Sequence, residues 1–197
     1  MSINKFAKLF EELDSNNSNN KKINFLARYF KSNSKLNNIW TIYLLIGKSN
    51  RRFISGKLLR KYYADIYKYP LWLIETCYLK VGDSAEVISL LLQDKVIEKN
   101  IHVDISLNDL ISKILPNLSK LDDNNKKSHL KLLWEKIRKE NQLIFNKILT
   151  GTFRIGVSKG LVTKAISKVI EIDESIILHR LMGDLEPNEA TCSFLFN

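Results

Sequence analysis

Apolar residues recur three and four positions apart along nearly the whole chain, as in Phe6, Leu9, Phe10 and Leu13 and again in Leu130, Leu133, Trp134 and Ile137. That is the spacing of one face of an α-helix, and runs of strand alternation bounded by turns are missing. The expected fold is therefore all-α. Helix starts follow from capping residues: Asp83 with Glu86, Ser106 with Asp109, and Ser158 and Asp173 ahead of apolar periodic runs. Breaks are expected at residues 15–20, at Pro70, around residues 100–104, at or near Pro116, and at Pro187. About a dozen helices result, forming a compact bundle. With 197 residues, 45% of them hydrophobic, the chain can bury one core or two fused lobes.

No apolar stretch approaches the roughly 20 residues needed to span a bilayer, the longest lying around residues 39–46. A soluble, intracellular protein is expected. Cys77 and Cys192 fit no metal or redox spacing and are expected as buried reduced thiols.

The net charge of +10 is informative through its location. Residues 47–68 hold Lys48, Arg51, Arg52, Lys57, Arg60, Lys61 and Lys68 against the single acid Asp65, which leaves +6. Residues 147–168 hold Lys147, Arg154, Lys159, Lys164 and Lys168 with no acid, which gives +5. The rest of the chain carries about −1, so the positive charge is concentrated.

Both basic segments fall at the same place in an internal repeat. The order of features over residues 44–83 returns over residues 148–184. Leu45-Ile46-Gly47, then Ile54-Ser55-Gly56-Lys57-Leu58-Leu59, then Val81-Gly82-Asp83 is answered by Leu149-Thr150-Gly151, Val157-Ser158-Lys159-Gly160-Leu161-Val162 and Met182-Gly183-Asp184. Two pseudo-symmetric halves with charge at equivalent positions suit a ligand of repeated charge, such as a nucleic-acid backbone.

Other motifs point nowhere. The glycine spacing from Gly151 to Gly156 is that of a P-loop, but Val157 stands where its lysine is needed and no strand precedes it. His102, His129 and His179 are scattered, and His179 reads as a structural histidine in an apolar helical face; no metal is expected. Glu11-Glu12 and Asp122-Asp123 read as solvated surface. Tyr62, Tyr63, Ile66 and Tyr67 read as core packing within a basic helix ahead of a base-stacking platform. No nucleophile has a neighbouring base.

Residues 150–158 admit two readings. Gly151 and Gly156, with Arg154 between them and Ser158 capping the next helix, would gather backbone N–H groups and a helix start beside a guanidinium, as a phosphate site requires. Alternatively Gly151 is a helix C-cap and Gly156 a tight turn. The charge count favours phosphate.

At these residues the chain resembles a known family, the N-terminal DNA-binding domain of bacterial-type ATP-dependent DNA ligases. The Gly-x-Phe-Arg-Ile-Gly-Val-Ser run from Gly151 to Ser158, followed by Leu161-Val162-x-Lys164-Ala165, is similar to that domain's signature segment. Ile54-Ser55-Gly56-x-Leu58-Leu59, Val81-Gly82-Asp83-Ser84-Ala85-Glu86 and His179-Arg180-Leu181-Met182-Gly183-Asp184 resemble further blocks. The likeness runs from about Phe6 to Phe196. It implies a helical domain of pseudo-two-fold build that binds the minor groove around a nick in duplex DNA, in DNA repair, replication or recombination. By that resemblance Gly151, Arg154, Gly156 and Ser158 contact phosphate, with Thr152 standing where the family often has a basic residue. Ser55, Gly56 and Lys57 match in the first half, and Lys48, Arg51, Arg52, Lys159 and Lys164 are added from charge.

The chain departs from whole ligases in lacking any Asp-Gly dipeptide, and hence the Lys-x-Asp-Gly of adenylation; Lys80-Val81-Gly82-Asp83 has the order reversed. Residues 1–197 are therefore expected to form the DNA-binding domain, with no catalytic residue, metal or cofactor of its own. Nucleotidyltransferase and oligonucleotide-binding (OB) domains, using ATP and Mg2+, are expected beyond residue 197. The expected partners are double-stranded or nicked DNA and those catalytic domains, with no membrane, for a monomer in the bacterial cytoplasm at the nucleoid. A helical RNA-binding module and a protein-interaction bundle with merely solvated basic faces remain open.

Overall fold

A computed structural model describes residues 3–47, 52–95, 105–153, 155–183 and 186–196. The expected site residues Lys48, Arg51 and Arg154, together with His102 and Asp184, lie outside the described residues. Among those described, the chain is helical without a strand. In order come α1 (Ile3–Asp14), α2 (Asn19–Ser32), α3 (Lys35–Leu45), α4 (Gly56–Tyr67), α5 (Leu71–Val81) and α6 (Ser84–Leu92). Then follow α7 (Leu107–Asp109), a π turn (Leu110–Ile114), α8 (Leu115–Lys120), α9 (Asp123–Lys136), a 3-10 turn (Lys139–Asn141) and α10 (Gln142–Thr150). The last are α11 (Lys159–Ile170), α12 (Glu174–Met182) and α13 (Glu189–Phe196).

The chain divides into two compact units. Unit 1 comprises Met1–Asn50, Ser106–Asn108 and Phe153–Asn197, and unit 2 comprises Arg51–Ile105 and Asp109–Thr152. Each takes helices from both halves of the sequence. In unit 1, α2 packs on α1 and α11, α12 joins α11 to α13, and α13 covers α3. In unit 2, α9 packs on α8 and α4, α5 joins α4 to α6, and α6 covers α10. The same open series of six helices is drawn twice, with the first three helices of one half-chain set against the last three of the other. Segments 44–83 and 148–184 are thus not self-contained half-domains: α3 is partnered by α13, and α10 by α6.

The sequence of α3 and α10 explains the exchange. Residues 37–45 of α3 are all buried, as are residues 144–150 of α10. A helix buried on every side runs through its unit's core. Around α3, Asn38 donates to Phe30 O at 2.8 Å, Thr41 donates to Tyr29 Oη at 2.9 Å, and Trp40 Nε1 donates to Asn108 Oδ1 at 2.9 Å. In unit 2 the buried Trp134 Nε1 donates to Asn146 Oδ1 at 3.0 Å, and Asn146 Nδ2 donates to Ser89 Oγ at 3.0 Å. Leaving one such buried group unpaired costs about 1–3 kcal/mol, so these bonds hold α3 against α2 and α7, and α10 against α9 and α6.

Equivalent helices share their ends. Both α4 and α11 have 12 residues, start at a serine and stop at a non-glycine left-handed residue, Lys68 (φ 60°) and Glu171 (φ 58°). Asp83, Ser158 and Asp173 cap as expected. Tyr62 and Tyr63 are fully buried, as their spacing requires.

Several expectations are corrected. Pro116 does not break its helix: the π turn gives Leu115 N–H the carbonyl of Leu110, and the proline, lacking an N–H, sits in the first turn of α8. The polar loop stops at Ser18, whose side chain caps α2, so Asn19 and Asn20 are helical. His179 is exposed, not structural. Asp122 and Asp123 are exposed, as expected of solvated surface, and in addition Asp122 caps α9 and Asp123 accepts a hydrogen bond from Tyr62 Oη at 2.8 Å. Cys192 is buried but Cys77 is only half-buried.

Candidate nucleic-acid interface

In unit 2 the site is the start of α4. The backbone N–H groups of Phe53 and Ile54 both donate to Leu149 O at 3.1 Å, and Ile54 is buried, so the approach to the helix is moored on the end of α10. Ser55 Oγ then accepts from Leu58 N–H at 3.2 Å. That cap satisfies the third N–H and leaves the first two, of Gly56 and Lys57, without intrahelical acceptors and at the positive end of the helix dipole. Arg52, Lys57 and Lys61 are exposed around it.

Behind this surface lies a network that the sequence did not reveal. Arg60 is 7% exposed, forms a bidentate pair with Glu75 at 3.0 and 2.9 Å, and stacks on Tyr78 at 3.8 Å from the ring centroid. Its third nitrogen donates to Ser84 Oγ, which fills the space where a Cβ on Gly56 would stand. Lys147 pairs with Asp83 at 2.9 Å. Burial opposes ionisation of Asp83, but the hydrogen bonds from Lys147 and from Glu86 N–H outweigh it and hold the carboxyl below its ordinary value. Two cations counted in the basic segments, Arg60 and Lys147, are thereby neutralised inside the unit.

Gly151 and Thr152 also belong to unit 2, and neither offers a free backbone donor. Gly151 is the left-handed C-cap of α10 (φ 66°), and its N–H and that of Thr152 both donate to Lys147 O. The Thr152 hydroxyl lies 2.8 Å from that of Thr150. A helix C-terminus presents carbonyls, the wrong polarity for an anion. The C-cap reading holds for Gly151.

In unit 1 the site is the start of α11. Phe153 packs its ring on Phe6 and Phe10, with centroids 6.0 and 6.2 Å away, and Ile155 is buried. Gly156 follows in the left-handed region (φ 59°), where a side chain would be strained. Ser158 Oγ accepts from Leu161 N–H at 3.3 Å, leaving the N–H groups of Lys159 and Gly160 without intrahelical acceptors. Lys159 is half-buried and Lys164 exposed. Lys22, on α2, donates to Ile155 O at 3.1 Å and Gly156 O at 3.3 Å. Nothing near Lys22 in the sequence signals this role.

Lys61 and Lys164 occupy the same position in their helices, each six residues after the capping serine. No helix of the described residues is long and apolar enough to cross a membrane.

The two units thus repeat an all-helical build in which a serine-capped helix start carries an exposed lysine at the same register. The family model described as DNA ligase N terminus matches residues 2–167, and the chain belongs to that family, the N-terminal domain of ATP-dependent DNA ligases. Comparison with curated proteins gave no match.

Proposed function

We propose that this chain binds duplex DNA around a nick through phosphate contacts at the α4 and α11 starts, as the DNA-holding part of an ATP-dependent ligase. The observation that carries the reading is the recurrence, once in each unit, of a serine cap followed by an exposed lysine at the same register, Ser55 with Lys61 and Ser158 with Lys164. Two helix starts with unspent N–H groups and nearby cations each favour an anion. Carried on one polypeptide, they strengthen each other through effective concentration. Arg52, Ser55, Gly56 and Lys57 serve the first half-site, with Lys48 and Arg51 added from charge. Gly156, Ser158, Lys159 and Lys164 serve the second, with Arg154 added from the family motif. Gly151 and Thr152 act by ending α10.

Sealing a nick needs adenylation, and these 197 residues contain no Lys-x-Asp-Gly. Among the described residues no three His, Cys, Asp or Glu side chains gather as a metal site. In this proposal ATP and Mg2+ serve the nucleotidyltransferase and OB domains that would be this chain's partners. The role in DNA repair, replication or recombination at the bacterial nucleoid is part of the same proposal.

The test is fluorescence anisotropy with nicked duplex, competed by intact duplex and by structured RNA. Contacts to roughly 5–8 phosphates give a slope of log affinity against log salt of about −5 to −7. Lys61→Ala and Lys164→Ala each make it shallower by about one unit. RNA competing as well as duplex, strong preference for one sequence, or a slope near zero would refute the reading, because phosphate contacts carry no base information and an A-form groove differs from that of DNA.

A further inference from the structure

Lysines ordinarily run their stems along apolar surface and carry the ammonium out to water. Lys22 does not: it is 7% exposed on α2, and its Nζ ends against the carbonyl oxygens of Ile155 and Gly156. Among the described residues it takes no part in any ion pair. The buried cations of unit 2 are different, since Arg60 has Glu75 and Lys147 has Asp83. A buried charge is costly unless paired, and two carbonyl dipoles compensate an ammonium only in part. The turn is also shaped around this group. A Cβ on Gly156 would stand 3.4 Å from Lys22 Nζ, and the residue's φ of +59° already favours glycine.

We propose that Lys22 is the positioning cation of a phosphate site at the start of α11, which rests on the DNA reading above, and that it makes this half-site the stronger of the two. Its two hydrogen bonds tie the turn at Ile155 and Gly156 to α2. They thereby set the direction in which Ser158, Lys159 and Gly160 enter the helix. Its charge, left without a carboxylate, is completed by the bound phosphate. The α4 start lacks that incentive because the cations beneath it are already neutralised.

Inorganic phosphate, titrated into the full chain and followed at the Gly156 and Gly160 amide signals by NMR, tests this without DNA. Saturable shifts are expected in the wild type. Lys22→Met, which keeps the stem and removes charge and donors, is expected to weaken phosphate binding about tenfold, the scale of one charge-assisted contact. Lys22→Arg should restore most of the loss, which a purely space-filling role would not allow. Lys168→Met, removing an exposed cation of the same unit that bonds Asn24, should leave phosphate binding unchanged. If Lys22→Met does not fold, Lys22→Gln, which retains a donor without charge, carries the same expectation. Unchanged binding in the folded Met or Gln variant, or no saturable shift in the wild type, overturns the proposal. Phosphate results as expected in a chain that does not bind duplex would instead overturn the DNA reading and leave the role of Lys22 standing.

Discussion

Replacing Gly56 by alanine separates two reasons for a glycine at a helix start. Close approach of a phosphate predicts lost DNA binding at unchanged stability. The structure supplies another reason. Gly56 lies in the helical region, so its backbone needs no glycine, but an added Cβ would stand 2.6 Å from Ser84 Oγ and 3.1 Å from Ser84 Cβ. Ser84 must shift, and its Oγ is the acceptor for Arg60, whose other nitrogens hold Glu75. A hydrogen bond to a charged group is worth about 1.5–3 kcal/mol. Against that, Gly→Ala at a compatible backbone stabilises by about 0.4–1 kcal/mol. The net expectation is a loss of about 0.5–2.6 kcal/mol, obtained by combining those two ranges. Urea unfolding followed by tryptophan fluorescence measures it, with an unchanged m-value showing that the folded state is otherwise intact. In a Ser84→Ala background the close Oγ is gone, so the same substitution should fall within about 0.5 kcal/mol of neutral, a coupling typical of residues in contact. Gly56→Ala as stable as wild type, or equally costly in both backgrounds, would refute the steric argument.

Other expectations follow from the same unit. Asp83 has its pKa held below the ordinary value, so its ion pair with Lys147 stabilises at neutral pH and that contribution disappears as pH falls through the folded-state pKa, below about pH 4. Asp83→Asn, which can keep the α6 cap, should therefore be less stable than wild type at pH 7, and the gap in urea midpoint should close towards pH 3; a constant gap would exclude the ion pair as its source. Labelled ATP with Mg2+ should leave no covalent adenylate on the chain in a denaturing gel, and an adenylated lysine would contradict the proposed division of labour.

Which features were readable without tertiary structure follows from how far apart the interacting residues stand. Helical period and caps depend on neighbours within about a turn, so the all-α fold, the caps at Asp83, Ser158 and Asp173 and the burial of Tyr62 and Tyr63 were legible in the sequence. The family was legible too, because its blocks are contiguous runs at the helix starts. Charge was legible as a count but not as a field. Arg60 and Lys147 look like the lysines and arginines around them until Glu75 and Asp83, 15 and 64 positions away, are brought beside them. Lys22 reaches its acceptors across 133 and 134 positions. The exchange of helices between half-chains was hidden for a related reason: two near-equivalent repeats can pack within themselves or across, and periodicity is the same either way. Tertiary packing decides, because α3 and α10 are buried along nearly their whole length and each is enclosed by a helix from the other half of the sequence, α13 and α6 respectively.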